Sequence, residues 1–176
     1  PTHFGIAVSG GTSAARSRWN IAGHRGGMTT AGVGGAITGK GAHVLIIDDS
    51  VKNAEEANSP VMRKKVWDWY TSTAYTRLEP DGAIIVMHTR WHEDDLIGRI
   101  LKASEQNNEP WTVVNFPAFA VEHDCIGRKP GDPLWPERFS HADLMRIKTV
   151  DVDSDYVWDA LYQQNPQSKE GKIFDP

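Results

Sequence analysis

Two stretches of this chain end in groups that could do chemistry together. The apolar run His43-Val44-Leu45-Ile46-Ile47 stops on Asp48-Asp49, and Ala83-Ile84-Ile85-Val86-Met87 stops on His88-Thr89-Arg90-Trp91-His92-Glu93-Asp94-Asp95. Carboxylates at the carboxyl end of a sheet strand lie where open α/β sheets bind ligands. Phosphoryl transfer from a nucleoside triphosphate needs a Mg²⁺ bridging phosphates, a group that orients the attacking water, and positive charge on the leaving phosphates. Asp48 is placed to hold the metal, directly or through water. Asp49, one residue on, points elsewhere and is suited to orienting water. Thr89 and Arg90 are suited to sensing the γ-phosphate or relaying its loss. Each has a plainer reading: Asp48-Asp49 as a solvated turn, and Asp49 as a residue that caps a loop or helix. His88, His92, Glu93, Asp94 and Asp95 also have the donor types of a metal site. Their simpler use is to complement the N-terminus of a following helix.

These groups must be delivered by strands. Runs of this length and apolarity read as strands buried on both faces, the pattern of a parallel sheet. About 34 residues separate them and contain a helix signal, which suits a crossover between parallel neighbours. Ser59-Pro60 starts that helix, and Met62, Val66, Trp69, Tyr70, Thr73, Ala74 and Arg77 keep its repeat up to about Leu78. Pro80-Asp81-Gly82 reads as a turn and residues 50–58 as a loop. A short strand is expected over 4–9 and a β-hairpin over 17–33. The ten residues 32–41 hold five glycines and read as a loop. An amphipathic helix is expected over 94–104, and a third sheet strand over Trp111–Phe116. Ser140-His141-Ala142-Asp143 opens a helix in a capping-box pattern, and a last helix covers 154–164. Strands alternating with helices give an α/β class.

The 176 residues suffice for one domain with a real core. Nineteen basic against 23 acidic residues leave a net charge of −4, so nucleic-acid binding would need a local patch, another domain or another subunit. The single Cys125 excludes an intramolecular disulfide. No apolar run approaches the roughly 20 residues of a membrane span, and no signal peptide is visible. Trp67, Trp69 and Trp91 read as core residues, and Arg63-Lys64-Lys65 as a solvated helix face.

Several motifs in one order carry a resemblance. Gly32-Val33-Gly34-Gly35-Ala36-Ile37-Thr38-Gly39-Lys40-Gly41, Leu45-Ile46-Ile47-Asp48-Asp49, Val51-Lys52-Asn53, Glu55-Glu56-Ala57 and Trp67-Asp68-Trp69-Tyr70 resemble the large terminase subunit of tailed bacteriophages and prophages. So do His88–Leu96 and Tyr162-Gln163-Gln164-Asn165-Pro166. The resemblance implies an ATPase of P-loop type, of the additional-strand, RecA-like kind, with mainly parallel central strands. It implies coupling of ATP hydrolysis to double-stranded DNA translocation, with Mg²⁺ and ATP as cofactors. The implied partners are DNA, a portal protein and a small terminase subunit. The implied assembly is a homo-oligomeric ring in the cytoplasm of a bacterial host. Asp48 would then be the Walker B metal ligand, Asp49 would stand where many members carry the catalytic Glu, and Thr89-Arg90 would fall in the coupling motif. Lys40 would lie near the place of a trans-acting arginine, as a point charge without the guanidinium fork.

No Gly-x-x-x-x-Gly-Lys-Ser/Thr occurs in the chain. The glycines at 34–39 precede a strand, whereas a phosphate cradle needs backbone N–H groups at a helix N-terminus. The expectation is therefore the second part of an ATPase domain over 1–165 and the start of a linker to a nuclease domain over 166–176, inactive alone. Two rival readings stand beside it. One is a metal-dependent hydrolase or nuclease built on Asp48, Asp49, His92 and Asp94. The other is a non-catalytic prophage remnant that serves as an interaction module.

Overall fold

The computed structural model describes residues 7–8, 14–15, 17–35, 37, 39–150 and 155–167. The chain divides into two compact units, Pro1–Leu45 with Asp68–Ile85, and Ile46–Trp67 with Val86–Pro176.

The first unit carries a three-stranded antiparallel sheet of β1 (Ala14–Ala15), β2 (Arg18–Asn20) and β3 (Gly27–Thr29). Trp19 stands opposite Ala14 on one side and Met28 on the other. The hairpin expected over 17–33 is present, and its turn closes with the Ile21 N–H on the Gly26 carbonyl at 2.9 Å. Gly27 is required there, because a Cβ would come within 2.6 Å of the Trp19 carbonyl oxygen. Of the strand expected over 4–9, only residues 7–8 are described, and Val8 bridges Ile21. Ala36 and Thr38 of the glycine-rich stretch also lie outside the described residues.

β4 (Ala42–Asp48) and β5 (Leu78–Met87) form a parallel two-stranded sheet, and each begins in the first unit and ends in the second. Burial on both faces does not hold. Ile47 is buried, but Val44, Ile46, Ile85 and Met87 are each about half exposed. Side chains alternate along a strand, and no layer among the described residues covers the face these four share. The expected turn at 80–82 is absorbed into β5, where Asp81 sits at φ 62°. A single left-handed residue kinks the strand without reversing it.

Ser59 and Pro60 start α2 (Pro60–Trp69), with the Met62 N–H on Ser59 Oγ at 3.3 Å. The helix runs on through a π-helical turn (Tyr70–Ala74) and a 3-10 turn (Tyr75–Arg77), and it ends where expected, before Leu78. The segment expected as a loop contains α1 (Ala54–Asn58), capped by Asn53 Oδ1, which accepts the Glu56 N–H at 3.0 Å. In the second unit α3 (Leu96–Asn107) buries Leu96 and Ile100, and α4 (His141–Lys148) carries the expected reciprocal box between Ser140 and Asp143.

The third strand expected at Trp111–Phe116 does not form. Val113, Val114 and Phe116 are exposed and lie in no ladder. Pro110 and Pro117 flank the segment and remove backbone donors. The chain beyond it packs instead on the C-terminal segment: the Ala118 N–H donates to the Tyr162 carbonyl at 2.7 Å. A π-helical turn, Trp158–Tyr162, lies within the last expected helix, whose first residue is not described. Ala118, Leu144 and Trp158 form the core there, with Phe119 and Ile147 against it.

Candidate functional site

The parallel pairing of β4 and β5 brings the two candidate motifs to one rim, wholly within the second unit. The Asp49 N–H donates to the Met87 carbonyl at 3.0 Å, which extends the ladder one residue past the strands. The chain then bends sharply, with Asp49 at φ 38°. From this left-handed position the Asp49 carboxylate turns back, and its Oδ1 accepts the Thr89 N–H at 3.1 Å. The plainer reading of Asp49 as a loop-capping carboxylate is therefore realised in one of its two oxygens. Asp48 is exposed, and no hydrogen bond or ion pair among the described residues engages its carboxylate.

His88 ties the same turn from the other side. Its Nε2 accepts the Ser50 N–H at 3.2 Å. Only a neutral imidazole can accept, and burial lowers the His88 pKa below its ordinary value, against the opposing pull of Asp95 and Asp49. The hydrogen then sits on Nδ1, which is buried without a hydrogen-bond partner among the described residues, as is Ser50 Oγ.

Arg90 is held at two points. Its Nε donates to Asp95 Oδ2 at 2.7 Å, and its backbone N–H donates to Gln164 Oε1 at 3.2 Å. Asp95 is only 5% exposed. Its other oxygen accepts the Gly98 N–H at 2.8 Å and caps α3. A buried carboxylate that serves an ion pair and a helix N-terminus together fixes the angle at which α3 leaves the rim.

Asp94 and His92, beside it, are engaged by arginines and backbone. Asp94 accepts a two-pronged pair from Arg99, at 2.8 and 2.6 Å, and a third bond from Arg63 Nε at 3.1 Å. The Arg99 hydrogen bonds, with help from Arg63, hold the Asp94 carboxyl below its ordinary pKa. His92 Nδ1 accepts the Asp94 N–H at 3.0 Å, and burial lowers its pKa as well. Among the described residues no three His, Cys, Asp or Glu side chains are grouped to hold a metal ion.

Lys40 lies in the first unit, in the segment entering β4, apart in the chain from the groups gathered at the rim. Sequence reasoning missed three contributors. Arg63, read as part of a solvated face, is 10% exposed in its side chain and donates to both Asp94 and the Ala57 carbonyl. Gln164 was visible only as part of a motif, with no role attached. The His88–Ser50 bond carries no spacing signal, since 38 residues separate its members.

A family model described as "Terminase large subunit, T4likevirus-type, N-terminal" matches residues 4–173. The chain belongs to the terminase large-subunit family. The match takes in all the described residues and supports a phage DNA-packaging terminase. A comparison with curated proteins found no match. No helix among the described residues of this terminase chain is long and apolar enough to cross a membrane.

Proposed function

We propose that this chain is part of the ATPase of a packaging motor, and that the rim at Asp48-Asp49 and Thr89-Arg90 faces Mg-ATP. The observation that carries the reading is the Thr89 N–H on Asp49 Oδ1 at 3.1 Å: two motifs 40 residues apart meet at the carboxyl end of neighbouring parallel strands. The donor set suits magnesium. Mg²⁺ takes one or two carboxylates and fills its other positions with water and phosphate oxygens. Asp48, exposed and unengaged among the described residues, is the residue to hold it. Bound there, the metal would neutralise charge on the phosphates. Asp49, with one oxygen committed to Thr89, has the other for orienting water, and Thr89 and Arg90 sit where loss of a phosphate is felt.

The residues at hand do not fit the triphosphate itself, because the sequence holds no phosphate loop. Val44, Ile46, Ile85 and Met87, exposed on one sheet face, support a further layer of helices packed over that face, as on the parallel sheet of a P-loop fold. On this reading residues 1–165 are the later part of the ATPase domain and 166–176 begin a linker. Lys40 acts on a neighbouring subunit's nucleotide in a head-to-tail ring. DNA contact is mainly to phosphates and insensitive to sequence. The portal and small subunit are the protein partners, in the cytoplasm of the host. The hydrolase alternative fares worse, since two guanidiniums hold Asp94 and a backbone N–H occupies His92 Nδ1.

Two measurements test the reading. Calorimetry on this chain should show no Mg-ATP binding in the micromolar range. The chain joined to the sequence encoded upstream should hydrolyse ATP and do so faster with double-stranded DNA. Micromolar binding by the chain alone, or no stimulated hydrolysis by the extended protein, would overturn it.

A further inference from the structure

The Thr89-Arg90 segment is gripped from two sides, and both grips have the same unusual build. Asp49 Oδ1 takes the Thr89 N–H at 3.1 Å and Gln164 Oε1 takes the Arg90 N–H at 3.2 Å. Asp49 sits at φ 38° and Gln164 at φ 56°, both in the left-handed region that side chains other than glycine seldom adopt. Such a conformation persists only where surrounding contacts over-determine it, and it clusters at sites that act. At Gln164 those contacts are visible. Its Nε2 donates to the Leu161 carbonyl at 2.7 Å, and the Asn165 N–H donates to the Asp159 carbonyl at 2.8 Å. The preceding residue, Gln163, does a different task, exchanging hydrogen bonds with the backbone of Phe119 at 2.9 and 3.2 Å. The C-terminal π-helical turn is thereby anchored by one glutamine and reaches the rim with the next.

We propose that Gln164 is a positioning residue for the Thr89-Arg90 segment, clamping it opposite Asp49 and linking the carboxylate turn to the turn at 158–162. The inference rests on the function proposed above, in which Thr89-Arg90 couples hydrolysis to DNA movement. A change in the Asp49 turn reaches the C-terminal segment through two adjacent backbone amides and one side chain. Among the described residues no other group accepts the Arg90 N–H, so without Gln164 the segment loses that link while Asp95 still holds the Arg90 guanidinium.

The test uses Gln164→Gly and Gln164→Met. Glycine is at ease at φ 56°, so it removes the clamp without a folding penalty from the backbone. Methionine keeps the side chain's length and removes its acceptor. In the chain itself, both should speed amide hydrogen exchange at Arg90 at least about tenfold, the loss of a protecting hydrogen bond, while Gly98, protected by Asp95, exchanges as before. In the extended, DNA-translocating protein, both should lower the base pairs moved per ATP several-fold more than they lower ATP turnover. A purely structural role would lower both together. Unchanged Arg90 exchange in both variants would overturn the clamp. Wild-type stimulation with an unchanged ratio of base pairs to ATP in the variants would overturn its coupling role alone. Absence of stimulated hydrolysis in the wild type would overturn the proposed function and this coupling role with it, leaving the exchange result to stand for the geometry.

Discussion

The rim and the Trp158 cluster belong to the same unit and are held by opposite means. Around Trp158 the contacts are apolar and aromatic. Trp158 stacks on Tyr162 with ring centroids 5.1 Å apart and tilts against Phe119 at 5.6 Å, and Lys148 lies over its ring. The strands of chain there join backbone to backbone, as in the Leu134 N–H on the Ala118 carbonyl at 2.8 Å. At the rim, three backbone N–H groups instead find single side-chain acceptors, on His88, Asp49 and Gln164. A packed cluster is a stability device, since its energy is spread over many contacts. A rim of single acceptors can be rearranged one bond at a time, at a net cost of only about 0.5–1.5 kcal/mol each. That suits a site that changes state.

If the contrast is right, truncation inside the cluster should damage the fold most. Trp158→Ala should cost about 3–5 kcal/mol, measured as urea midpoint and slope. Asp95 belongs to the rim but is buried. Asp95→Ala removes the cap of α3 and strands the Arg90 guanidinium. We expect a loss of about 2–4 kcal/mol, less than for a fully buried pair because Arg90 keeps some solvent access. At the rim itself, Asp49→Asn retains an acceptor oxygen and tolerates the left-handed backbone. Its melting temperature should stay within about 2 °C of wild type, while DNA-stimulated ATP hydrolysis in the extended protein falls at least about tenfold. A comparable fall in stability for Asp49→Asn would erase the contrast.

The smallest effect is in pH. His88 and His92 both accept backbone N–H groups and both have lowered pKa values. A base whose folded pKa lies below its unfolded value of about 6.5 contributes stability that is present above that value and is lost as pH falls through the folded pKa. Denaturation midpoints should therefore fall as pH drops below about 6.5, and His88→Gln should flatten part of that slope. Asp94 adds a second, screened loss only below the ordinary carboxylate range near 3.9, because its folded pKa is depressed.

What the sequence disclosed follows the same division. Local chemistry was legible: Ser59-Pro60, Ser140 with Asp143, and the hairpin closed at Gly26-Gly27 all act within a few residues. The rim was legible in outline, because apolar runs ending in polar groups imply parallel strands ending at one edge. Its fastenings were not, since they join residues 38, 40 and 74 positions apart. The Trp111–Phe116 run misled because a run rich in apolar and β-branched residues forms a strand only where a partner ladder exists. Arg63 misled because a basic run on a helix says nothing of the carboxylate that folds against one of its members.

Asp48 is exposed at the end of β4, and no hydrogen bond or ion pair among the described residues engages its carboxylate. Asp48→Asn should be measured in the extended protein for both melting temperature and DNA-stimulated ATP hydrolysis. We predict melting within about 2 °C of wild type and hydrolysis reduced to background. Turnover retained at the wild-type rate would contradict the assignment of this rim as the motor's magnesium–nucleotide edge.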